Sequence, residues 1–376
     1  MGLGDLFNKK KQSAQGSNDD EIISVIDELF SNAEYEKIIQ KTEEIPSDKW
    51  SNKLWFRRID ALNRLSRFKE AKKEISLLSK RCSEPKEDAR LFNSMGYILD
   101  HTDCELKAVE CFYKAQGFDP DLEGLKDAID SSMERADQNL SEAKNTLEKL
   151  FSEITDLIGN AGEQNKIDED SAFSYISMIQ ASFIPYGIGI EIPLDKLFFK
   201  CDDADKPKMK SLLKEQYGIT DIGSLQKWFG DNRVAPEFDS IKSAIERKLK
   251  PPFEKMSPSE RVHVKATMMV IQHLGELVPE AGAGAWDYCT VLALARMAFA
   301  CDLLSNTEFM QTALFFTDEC KNKFSSWDEF TRSAVVGGFY NTMCFDTQYD
   351  IKAATLFANA AGSMCKKNYP KVTWIV

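Results

Sequence analysis

Apolar residues recur at intervals of three and four along most of the chain, which is the spacing of amphipathic helices. Between residues 19 and 120 these helical stretches come in pairs separated by short polar turns. A first pair is indicated by Ile22, Ile26, Leu29, Tyr35, Ile38 and Ile45. A second pair is indicated by Trp55, Ile59, Leu62, Ala71, Ile75 and Leu78. The pattern predicts helical hairpins that repeat along the chain.

The third pair carries the most specific arrangement of small and large residues. Gly96 and Ala108 are small where the two helices of one hairpin would cross, and Pro120 ends the second helix because it lacks an N–H. Counted from Ala89, the pattern comprises Phe92, Met95, Gly96, Leu99, Ala108, Phe112, Ala115 and Pro120. These residues resemble the tetratricopeptide repeat, a helix-turn-helix unit of about 34 residues. We expect three such units, the first two degenerate.

A stack of such units implies a concave face that binds peptides or helices. Polar positions of the first helices are the candidate groove residues: Lys53, Arg57, Asn93 and Tyr97. The alternative is that these side chains form a solvated helix face with no ligand.

After Pro120 the apolar spacing continues from Leu122 to Leu157 without a Gly or Pro, which predicts one long helix. This helix could cover the exposed end of the stack or form a coiled-coil seam with a partner or a second copy. Small residues at Ala136 and Ala143 make the seam shallow and favour the cap. The predicted organisation is a flexible tail at 1–18, repeats and capping helix at 19–158, a glycine-bearing linker at 159–170, and a second helical domain at 171–376.

The second half continues in helical periodicity. Capping motifs open three helices, at Ser257, Ser305 and Ser326, each with Glu three residues later. The run WDYCTVLALARMAFACDLL is rich in Ala and Cys and predicts a central helix that its neighbours pack closely. Only FIPYGIGIEIPLDKLFF has irregular character, because its Gly and Pro residues favour a loop.

Four short motifs follow one another in this half: LLKEQYGITD, AWDYCTVLALAR, FSSWDEF with VVGGFY, and YPKVTW. In this order they resemble the bacterial domain-of-unknown-function family 1266 over roughly residues 171–376. Members of that family often carry Arg three residues after the Asp of Ala-Trp-Asp, where this chain has Thr290, while Arg296 matches a second basic position. The resemblance implies a helical domain and no activity.

Composition narrows the function classes. The chain carries 48 Lys and Arg against 60 Asp and Glu, so its formal net charge of -12 argues against nucleic acid as a general partner. Nine cysteines without a CxxC pair suggest small buried side chains rather than disulfides or zinc. Because no stretch reaches about 18 apolar residues, we expect a cytoplasmic protein without an integral membrane segment.

Candidate chemistry is sparse. No pair of the three histidines has the i, i+4 spacing of a helical metal site, and GxSxG, P-loop and full GxGxxG motifs are absent, so we expect no metal and no cofactor. Tryptophans and charged residues recur at two helix starts, and these form the candidate pocket: Trp286, Asp287, Arg296, Trp327 and Glu329. Helix capping and core packing account for the same residue types, so we assign no catalytic residue.

The sequence predicts an all-α protein with tetratricopeptide-like repeats, a long capping helix and a mainly helical C-terminal domain. The function it favours is non-enzymatic: the repeats recruit a protein or peptide partner, and the C-terminal domain binds or regulates. An enzyme using Asp287, Arg296 and Glu329 is one alternative, and an immunity or defence-type antagonist is another. The oligomeric state stays open.

Overall fold

The computed structural model describes residues 21–82, 84–161, 197–345, 349–368 and Trp374. The predicted tail at 1–18, most of the predicted linker and residues 171–196, which hold most of the predicted irregular segment, lie outside these residues. Within them the chain is all-α and contains no strand, which confirms the predicted fold class. None of the described helices combines the length and the apolar character that a membrane crossing requires.

Packing divides the chain into two units. The first comprises residues up to Ala136 together with Ser257–Val262, and the second comprises Asp137–Met256 and His263 onward. The division falls inside one long helix rather than at the predicted linker. Separability of the halves at 159–170 therefore stays a prediction.

The first unit consists of helical hairpins followed by the start of a long helix. Its helices are α1 (residues 21–31), α2 (Tyr35–Glu43), α3 (Asn52–Arg64), α4 (Phe68–Leu78), α5 (Pro85–Asp100), α6 (Glu105–Phe118) and the first turns of α7 (Leu125–Ala161). From α2 to α6 each helix packs against the next one in sequence, and α3 also packs against α5. This order is the one that stacked hairpins produce.

The three hairpins turn in the same way. Ala33, Ser66 and Asp103 have positive φ angles of 57°, 58° and 60°, and each lies two residues before the second helix of its hairpin. A left-handed residue at one repeated position is the backbone signature of a repeated turn, and no glycine marks it in the sequence. The backbone thus supports three units.

Close packing at Gly96 joins the two helices of the third hairpin. A Cβ atom there would collide with the ring of Phe112, so the side chain that faces Gly96 is Phe112. Ala108 is fully buried on the same helix α6. Phe92, placed between units by the repeat pattern, stacks on Phe118 with ring centroids 5.8 Å apart.

The long helix α7 begins at Leu125, just after Gly124, whose φ is +79°. Its backbone is helical through Gly159 to Ala161, the last described residue before Gly162. The 37 residues span on the order of 55 Å. In the second unit Leu150 of α7 packs onto Gly362, where a Cβ atom would have no room.

The second unit surrounds one buried helix. Its further helices are α8 (Lys206–Tyr217), α9 (Ile222–Asp231), α10 (Ala235–Glu246), α11 (Pro258–Leu274, whose first turn lies in the first unit), α12 (Ala285–Ala300), α13 (Asn306–Lys323), α14 (Trp327–Tyr340) and α15 (Ile351–Asn368). All sixteen residues of α12 are buried, which makes it the predicted central helix. Helices α8, α9, α13 and α14 pack around it.

Helix starts in this unit follow the capping prediction with one difference. Ser305 and Glu308 form a reciprocal capping box, and Ser257 and Glu260 make the same pair of bonds. Ser326 Oγ accepts from the Glu329 N–H at 3.2 Å, but the Glu329 carboxylate accepts from the N–H of Ser325 at 2.7 Å. The side chain thus satisfies the donor one residue earlier than predicted.

Candidate functional site

One cavity of about 490 Å³ lies in the first unit. Its walls come from α3, α5 and the first turns of α7, with Phe30 of α1 and Phe112 of α6 completing them. The residues that α3, α5 and α7 contribute are Arg57, Asp60, Asn63 and Arg64; Asn93, Ser94, Tyr97 and Asp100; and Ala128, Ser131 and Arg135. His101, which directly follows α5, also lines it. We call it the groove cavity.

Most charges in the groove cavity are paired. Arg57 Nε lies 2.6 Å from an Asp27 oxygen, and Arg135 pairs with Asp100, which also accepts from Ser132 Oγ at 2.6 Å. Burial raises the pKa of Asp60, and nearby arginines, led by Arg90 at 3.4 Å, oppose that rise.

Two features stand out among the residues that line the groove cavity, a buried acceptor and an aromatic pair. Asn63 is 6% exposed, and its Oδ1 has no hydrogen-bond partner among the described residues. A buried acceptor of this kind costs about 1–3 kcal/mol unless water or a ligand satisfies it. Next to it, the ring of Tyr97 stacks on His101 with centroids 4.0 Å apart, which gives the cavity a flat aromatic wall.

Three of the four predicted groove residues line this cavity: Arg57, Asn93 and Tyr97. Lys53 does not line it, and its Nζ lies 3.7 Å from Asp27. The sequence pattern did not single out eight further polar residues of the lining, namely Asp60, Asn63, Arg64, Ser94, Asp100, His101, Ser131 and Arg135. A signal for them exists, because the wall residues recur at three- and four-residue steps within each helix and about 35 residues apart between helices.

A second cavity, of about 320 Å³, lies in the second unit next to Asp287. We call it the Asp287 cavity. Five aromatic residues line it, namely Tyr217, Trp228, Phe229, Trp286 and Phe357. Its polar lining residues are Gln216, Asn232, Asp287, Thr290, Asn341 and Thr342.

Asp287 is 4% exposed and caps a helix distant in sequence. Its Oδ1 accepts from the N–H of Val234 at 2.8 Å, and its Oδ2 accepts from the N–H of Ala235 at 3.2 Å. These two donors stand at the start of α10, which lacks a side-chain cap of its own. Burial raises the pKa of Asp287 to about 6, although the two backbone donors oppose the rise. The Asp287 carboxylate therefore caps the start of α10.

Trp286 forms one wall of the Asp287 cavity because two glycines make room for it. Cβ atoms built at Gly337 and Gly338 of α14 would lie 2.6 Å and 2.9 Å from Trp286 atoms. The indole also meets Phe357 edge to face, with centroids 5.3 Å apart. The VVGGFY motif thus positions the Ala-Trp-Asp motif.

The other three predicted pocket residues do not line this cavity. Arg296 lies in the core near the far end of α12 and is 1% exposed. Trp327 is buried against Phe330 and Trp374, and Glu329 holds the start of α14. The structure therefore brings Trp286 and Asp287 together and places Arg296, Trp327 and Glu329 elsewhere.

No group of three or more His, Cys, Asp or Glu side chains arranged to hold a metal ion occurs in the described part of the chain. Seven of the nine cysteines are buried. Burial raises the pKa of the Cys111 thiol to about 11, so it stays protonated at neutral pH.

Comparison with known proteins supports the C-terminal domain. The model of a family described as "Protein of unknown function (DUF1266)" matches residues 212–374, which contain all four C-terminal motifs. No tetratricopeptide family model matches the N-terminal helices. No curated protein matches the chain, and no solved structure matches it. The C-terminal part of the chain is therefore similar to the DUF1266 proteins, a family whose description names no activity.

Proposed function

We propose that this chain is a cytoplasmic, non-enzymatic interaction protein whose N-terminal, tetratricopeptide-like helices bind a protein or peptide partner in the groove cavity. The observation that carries this proposal is that residues of three alternate helices, α3, α5 and α7, converge on one cavity.

The chemistry of the groove cavity suits a polypeptide. It combines paired acids and bases with side-chain amides and the flat Tyr97–His101 wall, so it can both donate to and accept from a backbone. Nucleic acid is disfavoured as a partner, because Asp27, Asp60 and Asp100 pair with or face the arginines that would otherwise contact phosphates.

We propose a binding or regulatory role for the C-terminal domain as well. An enzyme built from Asp287, Arg296 and Glu329 would need those groups at one cavity, and only Asp287 lines the Asp287 cavity. Both oxygens of Asp287 already accept backbone hydrogen bonds. This geometry favours binding over catalysis.

The test uses the full chain as bait in a lysate of the native host, with captured proteins quantified by mass spectrometry. The groove variant combines Arg64→Ala and Asn93→Ala, which shorten two cavity walls at positions that are not fully buried. Lys72→Ala, on the exposed side of α4, is the matched control. We expect the wild type and the control to enrich the same proteins, and the groove variant to lose them at least tenfold. Equal capture by all three baits would contradict the proposal.

A further inference from the structure

The Asp287 cavity offers a ligand two kinds of surface, aromatic walls and hydrogen-bond acceptors. We propose that it binds a planar amidine-type group, an N–C–N unit that carries N–H donors, as found in a guanidinium or an aminated heterocycle. This site lies in the second unit, and the proposal does not depend on the groove cavity.

The walls favour a flat ligand. Among the lining residues, Trp286 and Phe357 meet edge to face, and so do Tyr217 and Trp228, with centroids 5.3 Å and 6.0 Å apart. Aromatic rings offer π faces and edges to a ligand, and planar nitrogen-rich groups stack on them. The volume of about 320 Å³ fits one ring or a short chain that ends in such a group.

The cavity offers several acceptors besides the amide N–H groups of Gln216, Asn232 and Asn341. Thr290 Oγ1 donates its proton to the Trp286 carbonyl, and Thr342 Oγ1 donates to the Gly338 carbonyl. Because each hydroxyl has only one proton to donate, both can only accept a further hydrogen bond, through their lone pairs. Asn232 uses its Nδ2 to donate to the Trp228 carbonyl, which leaves Oδ1 as its acceptor.

Asp287 adds a further acceptor, because each carboxylate oxygen takes only one backbone N–H and keeps a second lone pair. No Lys or Arg is among the cavity-lining residues that the structure describes. Arg233 lies outside the lining, with its Nε 3.9 Å from Asp287 and its guanidinium over Phe229. A cationic partner for Asp287 within the cavity must therefore come from the ligand, and a phosphate would find no cationic partner in the lining.

The local backbone supports a binding role. Helix α14 does not simply end at Tyr340 but continues as a π-helical segment over Asn341–Phe345. The first two residues of this segment, Asn341 and Thr342, line the cavity. Short π-helical segments cost stability and are frequent at functional sites, so this one is an observation independent of the side-chain inventory.

The test is isothermal titration of the full chain with matched small molecules. Agmatine supplies a guanidinium and cytosine supplies an aminated ring. Butylamine keeps a positive charge without the planar group, and uracil replaces the amino donor of cytosine with a carbonyl acceptor. We expect agmatine, cytosine or both to bind at least tenfold more tightly than the matched compound. Binding by agmatine alone would assign the group to a guanidino compound, and binding by cytosine alone would assign it to a heterocycle.

Two variants connect binding to the acceptors. Thr290→Val and Asn232→Leu should each weaken the probe about tenfold or more. Thr312→Val is the matched control, because Thr312 Oγ1 also donates to its own helix, at the Glu308 carbonyl, but lines a different cavity. Circular dichroism confirms that each variant is folded. The proposal is wrong if no probe binds, if butylamine and uracil bind as well as their partners, or if Thr312→Val loses as much affinity as Thr290→Val.

Discussion

Gly337 provides the sharpest test of the packing in the second unit. A Cβ atom at this position would lie 2.6 Å from the Trp286 Cβ and 2.9 Å from the Ala283 carbonyl oxygen. The second contact is to backbone, which cannot rotate away as a side chain can. Gly337→Ala should therefore push α14 away from α12 and destabilise the fold.

The size of the effect follows from two opposing contributions. Overpacking by one methyl group costs about 1–3 kcal/mol, and here the rigid carbonyl places the cost near the upper end. Replacing Gly with Ala inside a helix stabilises that helix by about 1 kcal/mol, because Ala has the higher helix propensity. The net loss is about 2 kcal/mol, which corresponds to a decrease in Tm of roughly 4–8 °C for a unit of this size.

The assay is thermal unfolding of three alanine variants by circular dichroism. Gly230→Ala is the control, because Gly230 lies in α9 and a methyl group added there would have no other atom within 4 Å. Gly338→Ala should fall between the two, since its neighbours are the movable rings of Phe357 and Trp286. We expect Gly230→Ala to leave Tm unchanged or slightly higher. If Gly337→Ala melts at or above the wild type, the close approach of α14 to Trp286 is refuted.

Three further outcomes are expected. Trp286→Ala and Trp327→Ala should each cost about 3–5 kcal/mol in urea unfolding, against about 0.5–2 kcal/mol for Ser326→Ala, and a larger loss for the serine would contradict the core role of the indoles. Burial would raise the pKa of Glu110, but its hydrogen bonds from two lysines and a serine lower that pKa to about 2. Its stabilisation is therefore complete above about pH 4.5 and lost as the pH falls toward 2, and Glu110→Gln should lack this slope. Because the pKa of Asp287 is raised to about 6, its effect has the opposite sign: wild-type stability should decrease relative to Asp287→Asn as the pH rises from about 4 to 6, and parallel stability curves would refute the shift.

Local contacts explain why the helical hairpins could be predicted. The helices of each hairpin lie next to each other in sequence, so the three- and four-residue spacing carries most of the information about their packing. Arg57, Asn93 and Tyr97 were found because they share one phase of successive first helices. Asn63 was missed, because its buried and unpaired oxygen depends on how α3 meets its neighbours, which periodicity does not record.

Long-range contacts explain why the C-terminal site was predicted only in part. Asp287 was expected to favour its own helix dipole, but it caps α10 more than fifty residues away in the chain. Helix α12 is buried on all sides, so its sequence cannot show which face meets a cavity. Arg296 therefore looked equivalent to Asp287 although it lies in another part of the core.

The long helix α7 follows the hairpins and also lines the groove cavity. Its first turns place Ala128, Ser131 and Arg135 at the spacing that α3 and α5 use for their own walls, so α7 occupies the position of the first helix of a fourth unit. Arg135 and Ser132 meet Asp100 at the end of α5, which fixes that wall through charged and neutral hydrogen bonds. The helix that ends the repeats is thus the third wall of the groove cavity, and a partner bound there would contact α7 directly.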